Sequence, residues 1–317
     1  MNAVRIEHIR EAANTIRPYA VRTPLLTSDR LNQKLGFRLW IKAEVLQRSG
    51  SFKFRGACNA VMKLPDDGRP VLAFSTGNHA QAIALTAQLR NRKATVIMPD
   101  DAPEEKKQAT TSYGASLVLF NRRLEDREEI GRIIQQEQNA HLIPPFDDVR
   151  VIAGQGTTGL EISEQLIEYG ITSPAQVIIC CGGGGLISGC AIALKTYFPH
   201  TDIFAAEPEG FDDMKRSLES GEIQSIDVNN QSICDAILTR APGQITFPIA
   251  KSLVSGGYVV TDEEALRAMQ CAQRYFHLVV EPGGAVALAA ALALTNCTKN
   301  SISSSRSSSV NSGIRTG

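Results

Sequence analysis

"AQVIICCGGGGLISGCAIALKTYF", residues 175–198, joins a β-branched run to four consecutive glycines and then to apolar residues at helical spacing. A strand that ends in glycines and passes straight into a helix is the unit of an α/β fold. Glycines at such a junction let backbone N–H groups surround an anion, and the helix N-terminus adds its partial positive charge. A phosphate group is the natural guest, and the plainer alternative is a turn made tight for packing alone. Cys190 stands where the Walker A lysine would follow the last glycine, and no frame of this segment gives G-x-G-x-x-G. A mononucleotide or dinucleotide site is therefore the weaker reading.

The same alternation runs through most of the chain. Upstream, "VLAF" (71–74), "ATVIMP" (94–99) and "ASLVLF" (115–120) are each followed by a helical pattern, within a unit of roughly 70–147. Around the glycine loop stand the helix "VIAGQGTTGLEISEQLIEYG" (151–170), the strands "TDIFAAE" (201–207) and "GGYVVT" (256–261), and the helix "DEEALRAMQCAQRYFH" (262–277). Strands alternating with helices predict parallel sheets with crossover helices, arranged here as two doubly wound domains. The expected division is a large domain of 1–65 with 148–295 and a small domain of 66–147. From 296 to 317 no apolar period survives and serine dominates, so this segment reads as a disordered tail.

Composition narrows the class further. The 317 residues carry 33 basic and 33 acidic side chains, so no broad field attracts nucleic acid or an anionic membrane. The N-terminal segment mixes charged and apolar residues at helical spacing and is no secretory leader, and the longest apolar run, 285–294, is too short to span a bilayer. A soluble, cytoplasmic protein that handles a small molecule is expected. The seven cysteines form no C-x-x-C pair, and adjacent Cys180 and Cys181 would face opposite sides of a strand, so they read as small core residues.

"STGNHAQ" (75–81) lies where a strand gives way to a helix, at the edge where open α/β sheets bind ligands; the plain alternative is a helix cap. "SGSFKFRG" (49–56) surrounds Lys53 with small residues and places Phe52 before it. A lysine near a phosphate cradle suggests covalent attachment of a phosphorylated aldehyde cofactor. Here "SGSFKFRGA", "STGNHAQA", "CCGGGGLISG", "AAEPEGFDD", "ICDAI" and "VEPGGAVALAA" occur in the order and spacing of a known family. Over roughly residues 1–295 the chain resembles the fold type II pyridoxal-phosphate enzymes, in the threonine/serine dehydratase and serine racemase group, whose fold is tryptophan synthase beta-like.

The resemblance implies roles. Lys53 would be the Schiff-base lysine and the base at Cα, with Phe52 and Ala236 over the two faces of the pyridine ring. Asn78 would meet the ring 3-oxygen, Gly182, Gly183, Gly184 and Gly185 would hold the phosphate, and Glu281 would lie beside the ring. Ser75, Thr76, Gly77, Asn78 and His79 would bind the substrate carboxylate, with Thr76 in the loop position that carries a second acid-base group in the racemases. Glu207, the Phe211 carbonyl and Asp213 would hold Mg2+ or Ca2+, since hard oxygen ligands suit those ions. The implied activity is β-elimination in amino-acid metabolism, including isoleucine biosynthesis: L-threonine to 2-oxobutanoate and L-serine to pyruvate, each with ammonia, by a homodimer. The alternatives are a serine racemase, a dehydratase of another β-hydroxy amino acid such as 3-hydroxyaspartate, and an inactive truncated homologue. The serine-rich tail replaces the family's last strand, so the large sheet is expected to lack it.

Overall fold

A computed structural model describes residues 3–307 other than 76, 122, 123 and 228, and the side chains of 128 and 295–307 lie outside that description. The first strands, β1 (Leu25–Thr27) and β2 (Trp40–Lys42), pair antiparallel, Leu26 opposite Ile41. Next come β3 (Val71–Phe74), β4 (Ala94–Pro99), β5 (Ser116–Phe120) and β6 (His141–Leu142), a parallel sheet in the order β5-β4-β3-β6. The last, β7 (Gln176–Cys180), β8 (Asp202–Pro208) and β9 (Gly256–Val260), form a second parallel sheet in that order. The α/β class with parallel sheets is as the sequence implied, and among the described residues no strand follows β9.

The inner strands β3, β4 and β8 are largely buried on both faces, which explains their continuous apolar runs. Val71, Ala73, Val96 and Met98 face the helices Lys53–Met62 and Asn78–Leu89 through Phe54, Ala57, Val61 and Ile83. Leu72 and Ile97 face the other way, onto Ile134 of the helix Arg127–Glu137. In the second sheet, Ile179, Ile203 and Ala205 pack on Ile187 and Leu194 of the helix Gly185–Tyr197. Ala206 faces the opposite layer, the helices Asp262–Phe276 and Pro282–Ser307. Cys180 and Cys181 divide between these two layers, as adjacent strand residues must. Burial pushes the Cys58 and Cys190 thiols up to about 12, which suits a core role.

The helix Pro282–Ser307 continues into the serine-rich segment that the sequence reading expected to be without order, and 308–317 lie outside the described residues. No helix among the described residues is long and apolar enough to cross a membrane.

The helix Val149–Glu168 is the spine between the sheets, and its glycines set the spacing. A Cβ on Gly154 would come within 2.6 Å of the Gly56 Cα, and one on Gly159 within 2.7 Å of the Cys190 Cα. Facing it, a Cβ on Gly189 would lie 2.4 Å from the Ile152 carbonyl oxygen and 2.6 Å from the Gly156 nitrogen. Backbone therefore meets backbone between this helix and the two helices that begin at Lys53 and at Gly185. Gly189→Ala should cost about 3 kcal/mol because neither backbone can yield, measured as the shift of the urea unfolding midpoint.

Candidate active site

Lys53 opens its helix and lies directly behind a turn in which Ser49 and Gly50 both take positive φ. Its amine is buried and donates to the Pro145 carbonyl at 2.9 Å, with Nζ 5.2 Å from the centre of the Phe52 ring. Burial lowers its pKa to about 8.

Residues 145–148, beyond the end of β6, are fixed one after another. Pro145 accepts from Lys53, and Phe146 lies against the glycine loop, where a Cβ on Gly183 or Gly185 would meet its atoms at 2.5 and 2.9 Å. Asp147 accepts from the N–H of Gln244, Ile245 and Thr246 at 2.8–3.2 Å, and Asp148 caps the spine helix through the N–H of Arg150 and Val151. The sequence reading missed this segment. Two consecutive acids before a helical pattern were its only local signal.

Each glycine of the loop has a reason to lack a side chain. Gly182 is pressed against the Ile237 carbonyl oxygen, 3.2 Å from where its Cβ would sit. Gly184 has φ of 91°, and a Cβ there would strike Met214 and Thr246. The Thr246 hydroxyl and the Gly243 N–H both donate to the Gly183 carbonyl, at 2.7 and 3.2 Å, and turn the peptide groups of the loop. Among the described residues, the N–H groups of Gly182, Gly183 and Gly185 donate to no protein acceptor.

The remaining sides are closed by residues far apart in sequence. Asn78 Nδ2 donates to Glu281 Oε1 at 2.5 Å. Burial raises the Glu281 pKa and the nearby Asp235 adds to this, while Asn78 and Lys106 oppose it. Gly283 lies against Ala236, 3.1 Å between methyl and would-be Cβ. Lys106, from the helix Glu104–Ser112, pairs with Asp235 next to Ala236 and lies along Gly77. Contacts thus run from Lys53 through Pro145–Phe146 and the glycine loop to the turn at 235–237, and a ring closes there through Lys106, Gly77, Asn78, Glu281 and, by way of Gly283, back to Ala236.

Ser75 accepts from the Gly77 N–H at 3.1 Å. His79 is buried, and its Nε2–H donates to the Ile143 carbonyl at 3.0 Å, which leaves Nδ1 without a partner. Burial first, and then the Lys53 charge, lowers its pKa to about 3, so the ring is neutral. Thr76 lies outside the described residues.

Apart from this ring, Glu207 accepts from the N–H of Met214 and Lys215, both at 2.8 Å, while both oxygens of buried Asp213 lack a partner. Burial, and for Glu207 then the Asp213 charge, pushes the two carboxyls up to about 8 and about 7. Phe211 is buried beside them.

A buried amine without a carboxylate partner, a row of free loop N–H groups at a helix start and a flat ring on one side fit a phosphorylated aldehyde. A family model described as pyridoxal-phosphate dependent enzyme matches residues 16–307. The chain belongs to this family. Its fold is that of the fold type II pyridoxal-phosphate enzymes, and its cofactor is pyridoxal 5'-phosphate. Among its relatives is an L-threo-3-hydroxyaspartate ammonia-lyase from Saccharomyces cerevisiae, 44% identical over 284 residues, covering 89% of this chain and 85% of that protein. A serine racemase from Dictyostelium discoideum is 40% identical, covering 92% of this chain and 89% of the relative. A crystal structure of a T.th. threonine deaminase superposes with a TM-score of 0.87 at 42% identity, covering 93% of this chain and 94% of that one.

The lysine of this pyridoxal-phosphate enzyme is anchored from behind. Arg55, on the same helix, is fully buried and forms paired hydrogen bonds to Glu44 (2.8 and 2.8 Å) and to Glu161 (2.7 and 2.8 Å). Lys42 adds a bond to Glu161 at 2.6 Å. Arg55→Met should destabilise the protein by about 4 kcal/mol, because it leaves carboxylates desolvated without their cation. Chemical denaturation of the holoenzyme checks this, and a loss under about 1 kcal/mol would contradict it.

Proposed function

We propose that this pyridoxal-phosphate enzyme is an ammonia-lyase of β-hydroxy amino acids, giving 2-oxobutanoate from L-threonine and pyruvate from L-serine. The observation that carries this reading is the Lys53 amine, buried, held near 8 and facing a carbonyl instead of an acid. Relatives named for ammonia release from 3-hydroxyaspartate, for threonine deamination and for serine racemisation share a β-hydroxy amino acid, which supports the substrate class. In this reading the smaller domain is 66–147, and 1–65 with 148–295 form the larger one.

Pyridoxal phosphate, when bound, supplies the electron sink that acidifies the Cα–H of an attached amino acid. Lys53 Nζ removes that proton, a task for which an amine near pH 8 is suited. Phe52 and Ala236 would hold the cofactor ring between them. Gly182, Gly183, Gly184 and Gly185 hold the phosphate with their N–H groups at the start of the helix Gly185–Tyr197, where the helix dipole favours an anion. Asn78, oriented by Glu281, keeps one amide hydrogen for the ring oxygen. Ser75, Thr76, Gly77 and Asn78 orient the substrate carboxylate, and neutral His79 supports the loop from beneath through Ile143. Closing the site between the two sheets excludes water from the proton transfer.

Glu207, Asp213 and the Phe211 carbonyl would hold a divalent cation, and the unpartnered oxygens of Asp213 fit that role. Mg2+ or Ca2+ should then raise the melting temperature of metal-stripped protein, and Asp213→Asn should abolish that rise.

Lys53 loses its proton as the pH rises through about 8, and only the neutral amine attacks an aldehyde. Incorporation of pyridoxal phosphate, trapped by borohydride and located by mass spectrometry, should therefore speed up from pH 6 to 8 and level off above. Lys53→Ala should remove the label together with keto-acid release from serine and threonine. Recovery of D-serine without keto acid would overturn the lyase reading in favour of a racemase.

A further inference from the structure

We infer that Lys106 selects substrates whose β-carbon bears a carboxylate, making 3-hydroxyaspartate a better substrate than serine or threonine; this rests on the ammonia-lyase reading of the same site. Lys106 belongs to the first turn of the helix Glu104–Ser112 and reaches across the cleft from one sheet's layer to the other. Its amine pairs with Asp235, in the turn that carries Ala236. Its stem runs along the substrate loop: a Cβ on Gly77 would lie 3.7 Å from Nζ, 3.9 Å from Cδ and 4.0 Å from Cε.

A cation in that place is not what local structure favours. Gly77 is the N-cap of the helix Asn78–Leu89, whose dipole disfavours a positive charge. Two carboxyl groups face Lys106, Asp235 by contact and Glu281 through its electrostatic influence, and Asn78 already holds Glu281. Asp235 is thus the exchangeable partner. The pair is partly exposed, 25% for Lys106 and 48% for Asp235, so its net strength is small and an incoming carboxylate can take the place of Asp235.

The geometry of the substrate matches. In the proposed reading Gly77 belongs to the α-carboxylate site, and Lys106 borders Gly77, so a carboxylate on the adjacent carbon would come within reach of the Lys106 amine. Serine and threonine offer hydrogen or methyl there and leave the Lys106–Asp235 pair closed. Turnover of 3-hydroxyaspartate would yield oxaloacetate and ammonia: the β-hydroxyl and the Cα proton leave as water, and water returns as the amine is released.

The test compares kcat/KM for L-threo-3-hydroxyaspartate and L-serine in the pyridoxal-phosphate holoenzyme. Lys106→Ala should lower the ratio of the two constants at least about 30-fold, the effect of losing a charged hydrogen bond, and Lys106→Arg should recover most of it. Asp235→Asn should raise the ratio, since the cation loses its competing carboxylate. Equal loss on both substrates, or an unchanged ratio, would overturn the inference by assigning Lys106 to the α-carboxylate or to the shape of the loop. Calorimetric titration with succinate and butyrate needs no turnover. Tighter binding of succinate that Lys106→Ala removes supports the inference, and equal binding of the two acids by the unaltered protein defeats it. Succinate selectivity in a protein that releases keto acid from neither amino acid would remove the ammonia-lyase reading alone.

Discussion

A guanidinium with no exposure to solvent holds the active helix in place. Arg55 lies two residues beyond Lys53, and residues at that separation on a helix point away from each other. Its charge can stay buried only because Glu44 and Glu161 each present two oxygens to it. Burial opposes the charge, and the two carboxylates outweigh that opposition and keep the Arg55 pKa above its ordinary value. The pairs reach the segment after β2 and the spine helix, so the start of the Lys53 helix is referenced to both. With Arg55 turned toward that side, Lys53 is turned toward the cleft and Pro145.

Two sets of buried polar groups differ in kind. Arg55, Lys42, Glu44 and Glu161 satisfy one another, and they shape the fold without needing a ligand. Lys53, His79 Nδ1, the N–H groups of the glycine loop and the oxygens of Asp213 are left by the fold without a matching charge or partner. Such groups are costly unless something else meets them. Their location at the C-terminal ends of β3, β6, β7 and β8 is the place where an open parallel sheet binds small molecules. Unpartnered atoms also occur in the scaffold, at Trp40 Nε1, Asn59 Oδ1 and Gln155 Nε2, so the site is marked by the clustering of an amine, free N–H groups and carboxylate oxygens at these strand ends.

Much of this was legible in the chain itself. β3 and β4 have the bounds of the apolar runs that predict them, because strands buried on both faces leave an unbroken signal. Lys53, the four glycines and the Asn78 loop stand out for the same reason: each is a local pattern with a chemical purpose. β6 has only two residues and no pattern of its own, so it passed unseen together with the Pro145–Phe146 bridge behind it. The pairing of Lys106 with Asp235 spans 129 residues, and a lysine in an acidic helical turn carries no mark of a distant partner. Gly154, Gly156 and Gly159 show the spacing of a nucleotide fingerprint, yet they lie inside a helix and serve its packing.

The far wall of the site depends on one helix start. Among the described residues no strand follows β9, so the helix that begins at Pro282 must place Glu281 by its own packing. It does so against β7: the Cys180 thiol donates to the Gly284 carbonyl at 3.6 Å and accepts from the Ala287 N–H at 3.4 Å. Cys180 immediately precedes Cys181 and the glycine loop, so the segment that carries the phosphate cradle also fixes Glu281. Glu281 in turn orients Asn78, which belongs to the other sheet's layer. The two layers are therefore joined across the cleft by Asn78–Glu281 and by Lys106–Asp235, both of them polar and neither deeply buried. Joints of that kind hold a cleft in register and still let it open for substrate, whereas the close backbone contact at Gly154 and Gly189 keeps the spine rigid behind it.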